Sequence, residues 1–396
     1  MYPSYSYYKN SIKGLTLPLA LVDLKLFDEN AQLIAQRAGN KKIRIATKSL
    51  RCIALIKRAL QSHPAYNGLM CYSAEEAVWL SQKGFDDILI GYPVWHEKSV
   101  EAACSELHKG KTITFMVDLP EHIHHLNTIG EKSQTIIPLC IDADMSSVFW
   151  GLRFGVWRSS ITRTEQALVL YEKIKNYPWV QLVGLMGYEA AIAGVGDNLP
   201  GKRVQNLIVR VLKHWSAKEV AQRRDAMVKA LRKAGAQLRF VNGGGTGSLE
   251  WTTQEQAVTE VTAGSGFYAS ALFDFYTNFR HKPAAVFALE ITRHPAPHIF
   301  TCHGGGYIAS GAVGADKQPR PYLPEGMQLI AQEGAGEVQT PIYYSGMEQL
   351  ALGDPVFFRH AKAGELCERF NELLLIDNGR IADTVPTYRG EGKCFV

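Results

Sequence analysis

IRIATKSL, residues 43–50, decides how the rest of the chain is read. Five residues of almost unbroken apolar, β-favouring character end in a lysine. Such a run suits a strand covered on both faces, as in a parallel sheet, rather than one with a solvated face. Runs of the same texture recur on both sides of it: LALVD (19–23), LMCYS (69–73), DILIGY (87–92), TITFMVD (112–118), IIPLCID (136–142), VQLVGLMGY (180–188) and QLRFVNGG (237–244). Helical patterns fall between them at 24–38, 50–62, 74–83, 163–176 and 202–234. Eight β-then-α units predict an α/β fold, a (β/α)8 TIM-type barrel over residues 15–280, with an open doubly wound sheet as the alternative.

Near Arg280 the texture changes. The runs VFALEITR, HIFTCHGGGYIASG, MQLIAQEG, DPVFFR and ELLLID are separated by Gly- and Pro-containing turns, with no long amphipathic helix. They predict a C-terminal all-β domain over 281–396, joined by the N-terminal residues 1–14. The helix pattern at 217–235 is basic, but its apolar positions recur at helical spacing, which makes it a barrel helix with a solvated charged face.

Of the 396 residues, 46% are hydrophobic and 20% charged, enough apolar material for a large core. The formal net charge of +5 is spread along the chain. That argues against a nucleic-acid partner. Seven scattered cysteines without a C-x-x-C pair point to reduced thiols and a cytoplasmic setting. The apolar run at 15–22 is broken by Pro18 and too short to cross a membrane, so no membrane partner is expected.

Chemistry in such a barrel gathers at the C-terminal ends of its strands, and four features fall there. Lys48 ends the second run, where it is either a surface residue or an amine available as a Schiff-base nucleophile. VNGGGTGS (241–248) follows the eighth run; its glycines let N–H groups converge on an anion, and Thr246 and Ser248 add hydroxyls. VTEVTAGSGFY (258–268) is a short strand running into Gly264-Ser265-Gly266 and offers a second set of donors. DADMSSVFWGLRFGVWRSS (142–160) leaves the sixth run with Arg153 and Arg158, either of which could contact a phenolate or carboxylate.

The order of these features resembles the fold-type III pyridoxal-phosphate enzymes: lysine after the second strand, Arg-x-Gly after the sixth, Gly-rich donors near the end. That group includes alanine racemase, D-threonine aldolase and D-serine dehydratase. GGGTGS and TEVTAGS look like the phosphate loops of the D-threonine aldolase and D-serine dehydratase branch. CHGGGYIASG (302–311), EGAGEVQTP (333–341), RHAKAGELCERFNEL (359–373) and TYRGEG (387–392) look like a bacterial subgroup labelled amino acid deaminase/aldolase.

The resemblance implies a pyridoxal 5'-phosphate lyase on a small D-configured amino acid, working as a homodimer. Lys48 would form the internal aldimine and act as the α-proton base. Arg153 would stand near the cofactor ring oxygen and Tyr188 beside the pyridine ring. Gly244, Gly245, Thr246, Gly264, Ser265 and Gly266 would hold the phosphate, with Tyr268 and Tyr276 on the same side. The family's divalent metal is held by a His-x-Cys or His-x-Asp pair. Here His360-Ala361-Lys362 puts an ammonium in the second position, which cannot bind a metal. His360 is therefore the remaining candidate ligand, with Glu365 and Cys367 close in sequence. Lys362 is a candidate for a fixed positive charge in the metal's place. His360, Glu337 and Asp316 are candidates for the further acid–base role. Two alternatives remain at this level: an amino acid racemase with Tyr307 as second base, or a non-catalytic cofactor-binding protein.

Overall fold

The computed structural model describes residues 3–149, 151–312 and 314–396. Eight parallel strands close into a barrel in the order Lys42–Ala46, Tyr66–Cys71, Ile88–Ile90, Ile113–Val117, Ile137–Asp144, Val180–Tyr188, Phe240–Gly243 and Glu260–Ala263, the last returning to the first. The seam pairs Glu260 with Lys42 and Ala263 with Ile45. Leu89, Met116, Cys140, Met186 and Phe240, all on barrel strands, form one buried cluster of their own. A buried Arg44–Glu260 ion pair at 2.8 Å lies on the same strands, and charges that deep persist only when paired in this way.

The helices that cover the barrel start where the sequence provides a cap. Asp23 accepts from the N–H of Leu26 at 3.0 Å ahead of Leu24–Ala38, and Ser73 accepts from Glu76 at 3.2 Å ahead of Ala74–Gln82. Each such cap contributes about 1 kcal/mol. Helices Thr164–Lys175 and Arg203–Lys233 follow the periodicity closely.

One strand lies elsewhere than the sequence reading put it. Leu19–Asp23, read as the first barrel strand, pairs antiparallel with Ala285–Ala296 and parallel with Glu372–Asp377 in a separate sheet. The barrel takes Glu260–Ala263 instead. Apolarity on both faces tells that a strand is buried, not which sheet buries it. Lys48 consequently follows the first barrel strand and not the second.

That separate sheet has nine strands among the described residues and is mostly antiparallel. Helix Tyr5–Ser11 packs on it through Tyr5 and Tyr8 against Phe357, and the Tyr5 hydroxyl donates to the Pro355 carbonyl at 3.1 Å. Among the described residues no helix is long and apolar enough to cross a membrane.

Candidate active site

A cavity of about 620 Å³ opens at the C-terminal ends of the barrel strands. Lys48 reaches it from a tight 3-10 turn, Thr47–Ser49, that the neighbouring chain clamps. The Thr47 hydroxyl donates to the Met70 carbonyl at 3.1 Å, the N–H groups of Leu50 and Arg51 both return to the Thr47 carbonyl at 2.9 Å, and Arg51 Nε donates to the Lys48 carbonyl at 3.0 Å. The Lys48 Nζ donates to the Tyr92 hydroxyl at 3.2 Å.

Beside Lys48, at the ends of the next two barrel strands, stand the two glycine turns. Gly244 has φ +81°, and Gly264 comes so near the Lys48-bearing strand that a Cβ would lie 2.7 Å from the Ala46 carbonyl oxygen. The turns are tied to each other: the Gly266 N–H donates to the Thr246 hydroxyl at 3.2 Å and the Ser265 hydroxyl to the same oxygen at 3.4 Å. Among the described residues the N–H groups of Thr246, Gly247 and Ser265 have no partner within the chain. Two turns with unpaired donors facing one cavity form a cradle suited to a phosphate.

A buried ionic knot supports that cradle. Arg224, fully buried on helix Arg203–Lys233, pairs with Glu189 at 2.7 Å and with Glu255, and donates to the Gly187 carbonyl at 2.8 Å. Glu189 in turn accepts from the Ser248 hydroxyl at 2.8 Å, from Thr252 and from the Gly244 N–H at 3.3 Å. The helix read as a solvated basic face therefore sends one arginine inward to hold the first glycine turn.

Both arginines of the 142–160 segment line the cavity, with different surroundings. Arg153 sits on a hairpin, with Nη2 bonded to Asp144 at 2.8 Å and to the Val156 carbonyl at 2.8 Å, and its guanidinium is 4.1 Å from the Trp157 ring centroid. Arg158 lies deeper, bonded through Nε to Asp142 at 2.7 Å and through Nη2 to the Gly91 carbonyl at 2.7 Å. Its guanidinium is 5.1 Å from the Tyr92 ring and 6.0 Å from the Tyr188 ring. Burial pushes the Asp142 carboxyl up to about 7 despite Arg158, and pushes the Tyr188 phenol up to about 12.

Lys48, Arg153, Tyr188, Gly244, Gly245, Thr246, Gly264 and Ser265 are thus brought to one cavity, with Gly266 directly behind it. Tyr268 and Tyr276 are buried behind the site, their hydroxyls donating to the carbonyls of Leu50 and Ala193 at 2.8 Å each. His360 is not brought to the cavity. It is buried, edge-on to Tyr268, and burial with Arg359 beside it pushes its imidazole down to about 3. Lys362, two residues on, lines the cavity, with Nζ 3.3 Å from the Ser310 carbonyl. Glu337 and Asp316 are exposed, and Asp316 pairs with Lys317. Glu365 accepts from the Ser310 N–H at 2.7 Å, and Cys367 is buried against the Leu50 carbonyl. Tyr307 packs on Phe287 and Phe370, away from this chain's cavity. No group of three or more His, Cys, Asp or Glu able to hold a metal occurs among the described residues.

Sequence reasoning missed Tyr92. It ends DILIGY just as Lys48 ends its own strand, and the same strand-end rule points to it.

The comparisons agree with this architecture. The chain is 22% identical over 298 residues to the 3-hydroxy-D-aspartate aldolase of Paracoccus denitrificans (strain Pd 1222), covering 73% of this chain and 71% of that one. It is 24% identical over 289 residues to the D-threonine aldolase of an Arthrobacter species, covering 71% and 69%. Among solved structures, D-threonine aldolase from Filomicrobium marinum superposes with a TM-score of 0.79 at 18% identity over 95% of this chain and 96% of that one. The D-threo-3-hydroxyaspartate dehydratase of Delftia sp. HT23 does so with 0.75 at 18% identity, over 95% and 98%. The family profile described as alanine racemase, N-terminal domain, matches residues 22–271, well over half of the chain, which therefore belongs to that family, within the fold-type III pyridoxal-phosphate proteins.

Proposed function

We propose that this chain is a pyridoxal-phosphate lyase acting on a small D-configured amino acid, with Lys48 as the residue bonded to the cofactor. One observation carries the reading: Lys48 Nζ shares a cavity with two neighbouring glycine turns whose N–H groups at Thr246, Gly247 and Ser265 lack partners among the described residues. The cofactor would supply an electron sink for the bond broken at the substrate's α-carbon. The protein's part is to bind and orient. The glycine turns take the phosphate, Tyr188 flanks the ring, and Lys48 is the amine that holds or moves a proton at the α-carbon. Arg158, deeper than Arg153 and set between Tyr92 and Tyr188, suits the neighbourhood of the ring oxygen better.

The named activities of the aldolase and dehydratase relatives support the lyase class and a β-hydroxy substrate. Lys362 lies where a fixed cation can meet the substrate's carboxylate or hydroxyl. A homodimer is part of this proposal.

The test is the absorption spectrum of the purified protein beside its Lys48→Ala variant. A visible band stable to dialysis in the parent and lost from the variant supports the assignment. A parent that shows no band with added cofactor, or a variant that keeps a dialysis-stable one, overturns it. A panel of D-amino acids with and without chelator then separates cleavage, elimination and metal dependence.

A further inference from the structure

Lys48 reaches one hydroxyl, and that hydroxyl is flanked by a second cation. Tyr92 follows the barrel strand Ile88–Ile90 and is 41% exposed along the cavity wall. Its oxygen is 3.2 Å from Lys48 Nζ, and the Lys48 ammonium stands 5.8 Å from the Tyr92 ring centroid, so the contact runs to the hydroxyl rather than to the ring face. Arg158 faces the ring at 5.1 Å, held there by Asp142 and by the carbonyl of Gly91, the residue just before Tyr92. The same guanidinium is 6.0 Å from the Tyr188 ring centroid. The backbone that presents Tyr92 is itself fixed, since the Gly91 N–H donates to the Cys71 carbonyl at 2.9 Å.

We propose that Tyr92 is the positioning residue and proton partner of Lys48: its phenolic oxygen orients Nζ and, in the phenolate form, accepts the proton that Nζ must shed before attacking a carbonyl carbon. The transfer is simple in balance. One N–H bond of the ammonium breaks, one O–H bond forms on the phenolate oxygen to give the neutral phenol, and the freed lone pair stays on Nζ for the attack. The reverse transfer restores the ammonium when Lys48 is set free again. Tyr92 is suited to it because burial, which disfavours phenolate, is outweighed by Lys48 and Arg158, leaving its phenol below the usual tyrosine value. No carboxylate lines this cavity among the described residues, so the phenolic oxygen is the proton acceptor hydrogen-bonded to Nζ.

This inference rests on reading Lys48 as a carbonyl-bonding amine, but its test needs no cofactor. The full-length, cofactor-free protein and its Tyr92→Phe variant are treated with formaldehyde and cyanoborohydride. Methylation at each lysine is followed by peptide mass spectrometry between pH 6 and 10. Each event joins amine and formaldehyde with loss of water, and cyanoborohydride supplies the hydride. Exposed Lys25 and Lys229 serve as internal controls for folding and reagent. The expected result is that Tyr92→Phe slows Lys48 methylation at least five-fold at pH 8, moves the midpoint of its pH profile, and leaves the control lysines unchanged. A Lys48 rate within five-fold of the parent, or an unmoved midpoint, overturns the proposal. The visible-band experiment can fail while this one succeeds, and the reverse, so the two readings are separable.

Discussion

A Cβ placed on Gly364 would overlap the carbonyl oxygen of Lys48, so the β domain and the lysine turn meet backbone against backbone. Gly364 has φ +94°, a region that side chains strain to adopt. Glu368 on the same segment pairs with Arg51, which itself holds the Lys48 carbonyl. Gly364→Ala is expected to lose about 2–4 kcal/mol of stability. It should also weaken cofactor retention, because the turn must shift. Chemical denaturation and dialysis of the visible band check both, and an unchanged unfolding midpoint would refute the first.

Arg224→Met leaves buried Glu189 and half-buried Glu255 without their shared cation. Removing one partner of a buried ionic group costs about 3–5 kcal/mol. Since Glu189 also holds Gly244, Ser248 and Thr252, cofactor affinity should fall along with stability. A variant that melts like the parent would show that the knot contributes little.

Glu76 predicts a pH dependence. Burial pushes its carboxyl up to about 7, against the opposing hydrogen bonds from Thr47, Tyr72 and Tyr388. A carboxyl whose folded value exceeds its unfolded value of about 4.3 binds more protons in the folded state. Its effect on stability is therefore most favourable below pH 4 and declines as pH rises towards 7. Glu76→Gln removes that decline, so the stability difference between variant and parent should grow in the variant's favour from pH 5 to 8. A difference flat with pH would contradict the raised carboxyl.

Lys362→Met tests the substrate contact. A charge-assisted hydrogen bond contributes roughly 1.5–3 kcal/mol, or about 10–100-fold in affinity. The expected outcome is a KM raised by that factor, a largely unchanged kcat and an intact visible band, with Lys362→Arg retaining part of the affinity. A loss confined to kcat would place Lys362 in another role.

The barrel and its two glycine turns were legible because they depend on local signals. Buried strands read as apolar runs, and tight turns that expose backbone N–H groups favour glycines whatever surrounds them. Leu19–Asp23 was not legible, since an apolar strand is compatible with either sheet, and Glu260–Ala263 was short enough to read as a lead-in to its turn. Arg224 escaped notice because a basic helix face gives no sign of which cation turns inward. His360 looked like a ligand because of its motif, yet the strand Pro355–Arg359 delivers it into the core and leaves the mouth to Lys362. Side-chain direction after a strand end depends on how that end is tied. Here the His360 and Ala361 carbonyls accept from Ala271 and Leu272, which no sequence pattern reveals.

The placement of Leu19–Asp23 also fixes how the two halves could be separated. The chain begins in the antiparallel sheet, leaves it at Leu24, and rejoins it at Ala285. In topological terms the barrel is a loop spliced into the other unit, entered and left through neighbouring strands that pair Val22 with Ala285. A gene cut near residue 280 would strip the C-terminal fragment of an interior strand and leave the N-terminal fragment carrying an orphan one. A permuted chain that opens at Leu24 and joins the natural ends through a linker would keep each unit contiguous.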